Sequence, residues 1–132
     1  MQNEIIKNLF SHAYAMYQKA ICPYSQFQVG ASVMSDDKTI SGGHNIESSS
    51  YGLTICAERV AIFNQLTQTR ASITHLLLIT ATGSYPCGAC RQIIIDFCPK
   101  ATITIATPTK IINSVSAQEL VPYAFNQDDL KK

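Results

Sequence analysis

Only three residues, Thr107-Pro108-Thr109, separate two runs of strand character, Thr102 to Ala106 and Lys110 to Asn113. A parallel pair of strands needs a crossover of about a dozen residues, so two neighbours joined this tightly must run antiparallel. Upstream, the all-apolar run His75 to Thr80 reads as a central strand covered on both faces. Between it and Thr102 lies a helical stretch, about Gly88 to Phe97, closed by Pro99. Strand, helix, strand and then a tight antiparallel return cannot be an all-parallel sheet.

The first half of the chain fits the same architecture. Ile5, Ile6, Leu9, Phe10, Ala13, Met16, Tyr17 and Ala20 recur at three- and four-residue spacing, as in an amphipathic helix, with Pro23 beyond its end. Phe27 to Met34 and Thr39 to Gly43 read as a hairpin around Ser35-Asp36-Asp37-Lys38. A Ser-rich loop, Glu47 to Tyr51, precedes a helix from about Thr54 to Gln68, with Thr54 as its expected N-cap. Ser116 is expected to cap a short last helix before a loop-like tail from Pro122. The expected fold class is α/β: three layers, with helices on both faces of a five-stranded mixed sheet whose last two strands are antiparallel. Residues 1–132 read as one domain.

Composition narrows the function. Ten basic and nine acidic residues leave a net charge of +1 with no basic stripe, which argues against a polynucleotide partner and for a small molecule. Charged residues make up only 14% of the chain, low for a small monomer, so part of the surface is expected to be buried in an oligomer. No apolar stretch approaches the ~20 residues that span a bilayer. The first residues do not resemble a signal peptide. The expectation is therefore a cytoplasmic protein without a membrane partner, whose five cysteines are reduced ligands or buried thiols.

Two cysteine segments carry the chemistry, Thr54-Ile55-Cys56-Ala57-Glu58-Arg59 and Pro86-Cys87-Gly88-Ala89-Cys90-Arg91-Gln92. Each places cysteine at the start of an expected helix, where unpaired N–H groups and the helix dipole favour a thiolate. Cys87 and Cys90, three apart, can reach one metal ion, and Cys56 would make a third ligand. Three protein ligands leave a zinc ion one open position for water, the arrangement of a catalytic site. Glu58, two residues past Cys56, is placed to take a proton from that water. Arg59 and Arg91, beside the ligands, can offset the charge of three thiolates by donating hydrogen bonds to sulfur.

These residues resemble the cytidine deaminase family, and the resemblance covers most of the chain: PYSQFQVGA (Pro23 to Ala31), HNIESSSYG (His44 to Gly52), CAERVA (Cys56 to Ala61), PCGACRQ (Pro86 to Gln92) and PYAF (Pro122 to Phe125). It implies one zinc ion per subunit on Cys56, Cys87 and Cys90, with Glu58 as proton shuttle. It also implies Asn45 and Glu47 at the ribose hydroxyls, Phe27 against the pyrimidine and Ala57 on the base amide edge. Family members with three cysteine ligands are homotetramers with shared sites, in which Tyr51 and Phe125 would support a neighbouring pocket. The activity implied is hydrolysis of free cytidine and deoxycytidine to uridine and deoxyuridine with release of ammonia, a pyrimidine-salvage reaction. Ser48, Tyr123 and Thr54-Ile55 depart from the family pattern and touch neither the ligands nor Glu58.

Two other readings stay open on the sequence. One is a deaminase of another cytosine nucleoside, such as a blasticidin-type antibiotic. The other is a non-catalytic structural zinc module, which would need a fourth ligand from Cys22 or Cys98.

Overall fold

The computed structural model describes residues 2–131; Met1 and Lys132 lie outside the described residues. In chain order the elements are α1 (Gln2–Lys19), β1 (Val29–Ser35), β2 (Ile40–His44), a short 3-10 turn (Tyr51–Leu53), α2 (Ala57–Gln68), β3 (Ile73–Thr80), α3 (Gly88–Phe97), β4 (Thr102–Ala106), β5 (Ile111–Ser116) and α4 (Ala117–Leu120). A second 3-10 turn, Gln127–Leu130, lies in the tail expected to be loop.

The five strands form one sheet in the order β2-β1-β3-β4-β5. β1 is antiparallel to both β2 and β3. β3 and β4 are parallel, joined through α3, and β5 returns antiparallel to β4 as its short link requires. The fold is the expected mixed α/β sandwich. β5 starts one residue later than expected and runs on to Ser116, where its backbone hands over to α4. Ser116 Oγ accepts from the Glu119 N–H at 3.2 Å while Glu119 accepts from the Ser116 N–H, a reciprocal cap that starts this one-turn helix.

The run Leu76-Leu77-Leu78-Ile79 shows how β3 serves both layers. Successive side chains of a strand point to opposite faces. Leu76 and Leu78 join Ala57, Ala61 and Ile62 of α2 and Ile94 and Ile95 of α3 on one side. Leu77 and Ile79 meet Leu9 and Ala13 of α1 on the other. All four are essentially sealed from solvent, and each such side chain contributes about 1.5–3 kcal/mol by burial.

Two glycines let the helices lie close to the sheet. A Cβ on Gly30 would stand 2.2 Å from the Ala13 carbonyl oxygen of α1, and one on Gly43 would stand 2.4 Å from the Ala61 nitrogen of α2. The polar contact between α2 and the hairpin is equally specific. Gln65 is fully buried, accepting from Ser41 Oγ at 2.6 Å and donating to Ser35 Oγ and the Thr39 carbonyl at 2.8 and 2.6 Å. A buried amide satisfied in this way fixes α2 relative to β1 and β2.

Candidate metal centre and cavity

The two cysteine segments meet where α2 and α3 begin. Cys56 is the N-cap of α2 and Cys87 the N-cap of α3, both with extended backbone and no side-chain capping bond. Cys90 lies one turn into α3 and is fully buried. Thr54, expected as the cap of α2, is not. The Ile55 and Ile46 backbones pair reciprocally at 3.0 Å, which holds the chain extended until Cys56. Thr54 Oγ1 instead accepts from the Ser48 N–H at 3.0 Å and closes the serine loop.

The sulfurs of Cys56, Cys87 and Cys90 all lie within 4.8 Å of one another, and the Cys56 and Cys87 sulfurs are 3.8 Å apart. Zinc–sulfur bonds of about 2.3 Å in a tetrahedron put sulfurs about 3.8 Å apart, so these residues fit a zinc ion. Among the described residues no other group of three or more potential ligands is found, and neither Cys22 nor Cys98 belongs to this one. Cys98 is instead a buried residue at the end of α3, its thiol pushed up to about 12 by burial.

Arg59 Nη2 donates to Cys56 Sγ at 3.5 Å. Hydrogen bonding from the Cys90 thiol, then from Arg59 and Cys87, holds the Cys56 thiol far below its ordinary value, while the Cys90 thiol moves up because it donates to Cys56. The second arginine behaves otherwise than expected. Arg91 Nε donates to the Pro86 carbonyl at 2.7 Å and Nη1 to the Leu120 carbonyl at 3.2 Å, so it ties the α3 entry to α4 and bonds no sulfur. The preceding turn and α4 supply two carbonyls within its reach, which position in the chain alone does not reveal.

Glu58 is 4% exposed, beside the cysteines in the first turn of α2. Burial pushes its carboxyl up to about 7, and the negative charge of Cys56 adds to the rise. A buried carboxyl that exchanges its proton near neutral pH is suited to proton transfer.

A cavity of about 290 Å3 opens from this corner, and Phe27, Asn45 and Glu47 line it together with Cys56, Glu58 and Cys87. Asn45 Nδ2 donates to the Phe27 carbonyl at 2.8 Å and its Oδ1 accepts from the Val29 N–H at 3.0 Å, fixing the approach to β1. Glu47 accepts from the Tyr24 and Ser25 N–H groups at 2.9 and 3.1 Å and from the Ser25 hydroxyl, which together hold its carboxyl below the usual range. Ala57 is buried at the first position of α2.

Tyr51 is 74% exposed and packs against Tyr24 over an adjoining open cavity. Phe125 is 58% exposed and lies outside the cavity at the metal corner, beside Gln92 and Phe97. One chain therefore does not bring Phe125 to the metal corner. The sequence reading also passed over Ser25, Ser84 and Tyr85, all of which line the cavity. Their signal was proximity: Ser25 lies inside the PYSQFQVGA stretch, and Ser84-Tyr85 directly precede Pro86-Cys87.

A three-thiolate metal corner with a buried carboxyl beside it, on a three-layer α/β sandwich, defines the class of zinc-dependent deaminases. Comparison with known proteins gives the family. Residues 3–106 match the family described as the cytidine and deoxycytidylate deaminase zinc-binding region. The chain is 37% identical to a cytidine deaminase of Halalkalibacterium halodurans, over 92% of this chain and 95% of that protein. It is also 37% identical to one of Sporosarcina psychrophila, over 95% and 94%. The crystal structure of cytidine deaminase from Burkholderia pseudomallei superposes with a TM-score of 0.85 at 35% identity, covering 90% of this chain and 98% of that one. The chain belongs to the cytidine deaminase family of zinc-dependent hydrolases.

Proposed function

We propose that this chain hydrolyses free cytidine and deoxycytidine to uridine and deoxyuridine, releasing ammonia. The observation that carries the choice of free nucleosides is the charge of the cavity. Its lining contains Glu47 and Glu58 and no lysine, arginine or histidine. A nucleotide's phosphate would meet the Glu47 carboxylate with no cation among the described lining residues to receive it, whereas sugar hydroxyls can donate to that carboxylate. Phe27, Asn45 and Glu47 together favour an ordinary nucleoside over an antibiotic analogue.

Cys56, Cys87 and Cys90 would hold the zinc ion. When bound, the ion would supply a coordinated water acidified towards neutral pH. Glu58 is the proton carrier. Its carboxylate takes a proton from the attacking water and delivers it to ring N3, which makes C4 electrophilic. After oxygen has added to C4, Glu58 takes the proton of the new C4 hydroxyl and passes it to the amino nitrogen, and ammonia departs as the C4–N bond breaks and C4=O forms. Phe27 covers the ring, Ala57 presents backbone groups to the amide edge, and Asn45 and Glu47 orient the sugar. Arg59 restrains Cys56 through its bond to sulfur.

Residues 1–132 act as one domain, and four copies assemble so that Tyr51 and Phe125 support neighbouring sites. The exposure of both rings and the position of Phe125 away from its own chain's cavity support that assembly. The reaction would serve pyrimidine salvage in the cytoplasm; among the described residues no helix is long and apolar enough to cross a membrane.

The test is turnover of cytidine, deoxycytidine and their 5′-monophosphates by zinc-loaded protein, followed by loss of cytosine absorbance. Conversion of both nucleosides and of neither monophosphate is expected. Conversion of deoxycytidine monophosphate in preference to deoxycytidine would overturn the reading.

A further inference from the structure

The segment that leads from β3 into α3 is pinned to β5, an edge strand otherwise remote from the chemistry. Its backbone turns at Gly83, where φ is +74°, and a Cβ there would stand 2.9 Å from Ile112 Cγ1. The Ser84 N–H bonds Thr80 Oγ1 at 2.7 Å. Two residues before Cys87, the Tyr85 hydroxyl accepts from Asn113 Nδ2 at 2.9 Å. The bond tethers a half-exposed ring to the sheet, and that ring forms part of the cavity wall.

On the function proposed above, most of the cytosine ring is already assigned. C4 meets the metal corner, N3 faces Glu58, and N1 carries the sugar towards Asn45 and Glu47. The C5–C6 edge is left. Phe27 and Tyr85 are the two aromatic side chains of the lining. Phe27 is taken up by the ring face, so Tyr85 is the large side chain still without a part.

We propose that Tyr85 is a specificity-determining residue that walls the C5 edge of the substrate ring, with Asn113 as its positioning residue. The cavity thereby selects pyrimidine nucleosides carrying hydrogen or a small substituent at C5. This rests on the nucleoside deaminase reading. The wall does its work by excluding bulk, so its signature is a change in selectivity, whereas general damage to the fold would slow all substrates alike.

The experiment measures kcat/KM for cytidine and 5-iodocytidine with zinc-loaded wild type, Tyr85→Ala, Tyr85→Phe, Asn113→Ala and the Tyr85→Phe/Asn113→Ala double variant. Tyr85→Ala is expected to raise the ratio of 5-iodocytidine to cytidine by about tenfold or more. Tyr85→Phe and Asn113→Ala each free the ring from its tether and raise the ratio by about threefold. The double variant goes no further than either single one, because both remove the same bond. An unchanged ratio in Tyr85→Ala, with cytidine still turned over, overturns the wall. A ratio moved by Tyr85→Ala alone overturns the part given to Asn113. If Tyr85→Ala does not fold, as read by circular dichroism, the two milder variants decide, and unchanged ratios in both overturn the proposal. Wild type inert towards cytidine overturns the function reading, and this inference with it.

Discussion

The metal corner of the cavity is walled by the first turns of α2 and α3, whereas the wall that carries Phe27, Asn45 and Glu47 is built largely from loops. At the metal corner, Cys90 and Glu58 are buried, and Gly43 and Gln65 lock α2 against the hairpin. Phe63 and Phe97 meet edge-on, with ring centroids 6.5 Å apart, and join α2 to α3. At the loop wall, Glu47 is held by the turn at Tyr24 and Ser25, and three short extended pieces at Ile21, Ile46 and Ile55 pair only through isolated bridges. The difference separates two tasks. A metal corner needs donors fixed within tenths of an ångström, and helix N-termini anchored in a core provide that. A binding wall needs a few polar groups around an opening, and loops supply these while leaving an entrance.

Changes at the metal corner should remove chemistry, and changes at the loop wall should weaken binding. The largest effect is expected from Cys90→Ala. Loss of one of three sulfurs should release zinc, measured by metal analysis, and take turnover below detection. Glu58→Gln should keep its zinc and lose about 10²- to 10⁴-fold in kcat. Near-normal kcat in that variant would remove Glu58 from proton transfer. Gly43→Ala forces α2 away from β2 and should cost about 1–3 kcal/mol, read from the denaturant midpoint. It should also reduce kcat, because Cys56 and Glu58 ride on α2.

Glu47→Gln tests the loop wall. KM for cytidine should rise about tenfold with kcat little changed. A fall in kcat as large as that of Glu58→Gln would erase the distinction between corner and wall. The smallest effect concerns the free thiols. After chelation of the metal, Cys56 should alkylate with iodoacetamide near pH 7, because its thiol pKa is depressed by Cys90 and Arg59. Cys98, buried and pushed up to about 12, should stay unmodified in the folded protein. Mass spectrometry of the digested protein reads both.

What could be read from the sequence divides along the same line. The metal corner was legible because its signal is local. Two cysteines one helical turn apart, a third cysteine two residues before a glutamate, and helix starts at both segments are short-range facts of order along the chain. The tight link between β4 and β5 was legible for a similar reason, since so few residues leave the chain one way to turn.

Long-range relations were not legible. The apolar run of β3 showed that both faces are covered, but the assignment of Leu76 and Leu78 to one layer and Leu77 and Ile79 to the other needed the helices in place. Thr54 has the chemistry of an N-cap, yet pairing of Ile55 with a distant Ile46 moved the helix start to Cys56. Arg91 sits beside a ligand in the chain but is drawn to the Leu120 carbonyl, 29 residues away. Tyr85 and Asn113 carry no motif and lie 28 residues apart, and only the return of β5 along β4 brings them together. The order of residues determined which groups the protein has for chemistry and where its helices and tight turns begin. Tertiary packing decided which of those groups meet, because hydrogen bonds and burial act through space, and proximity in space is set by the whole fold.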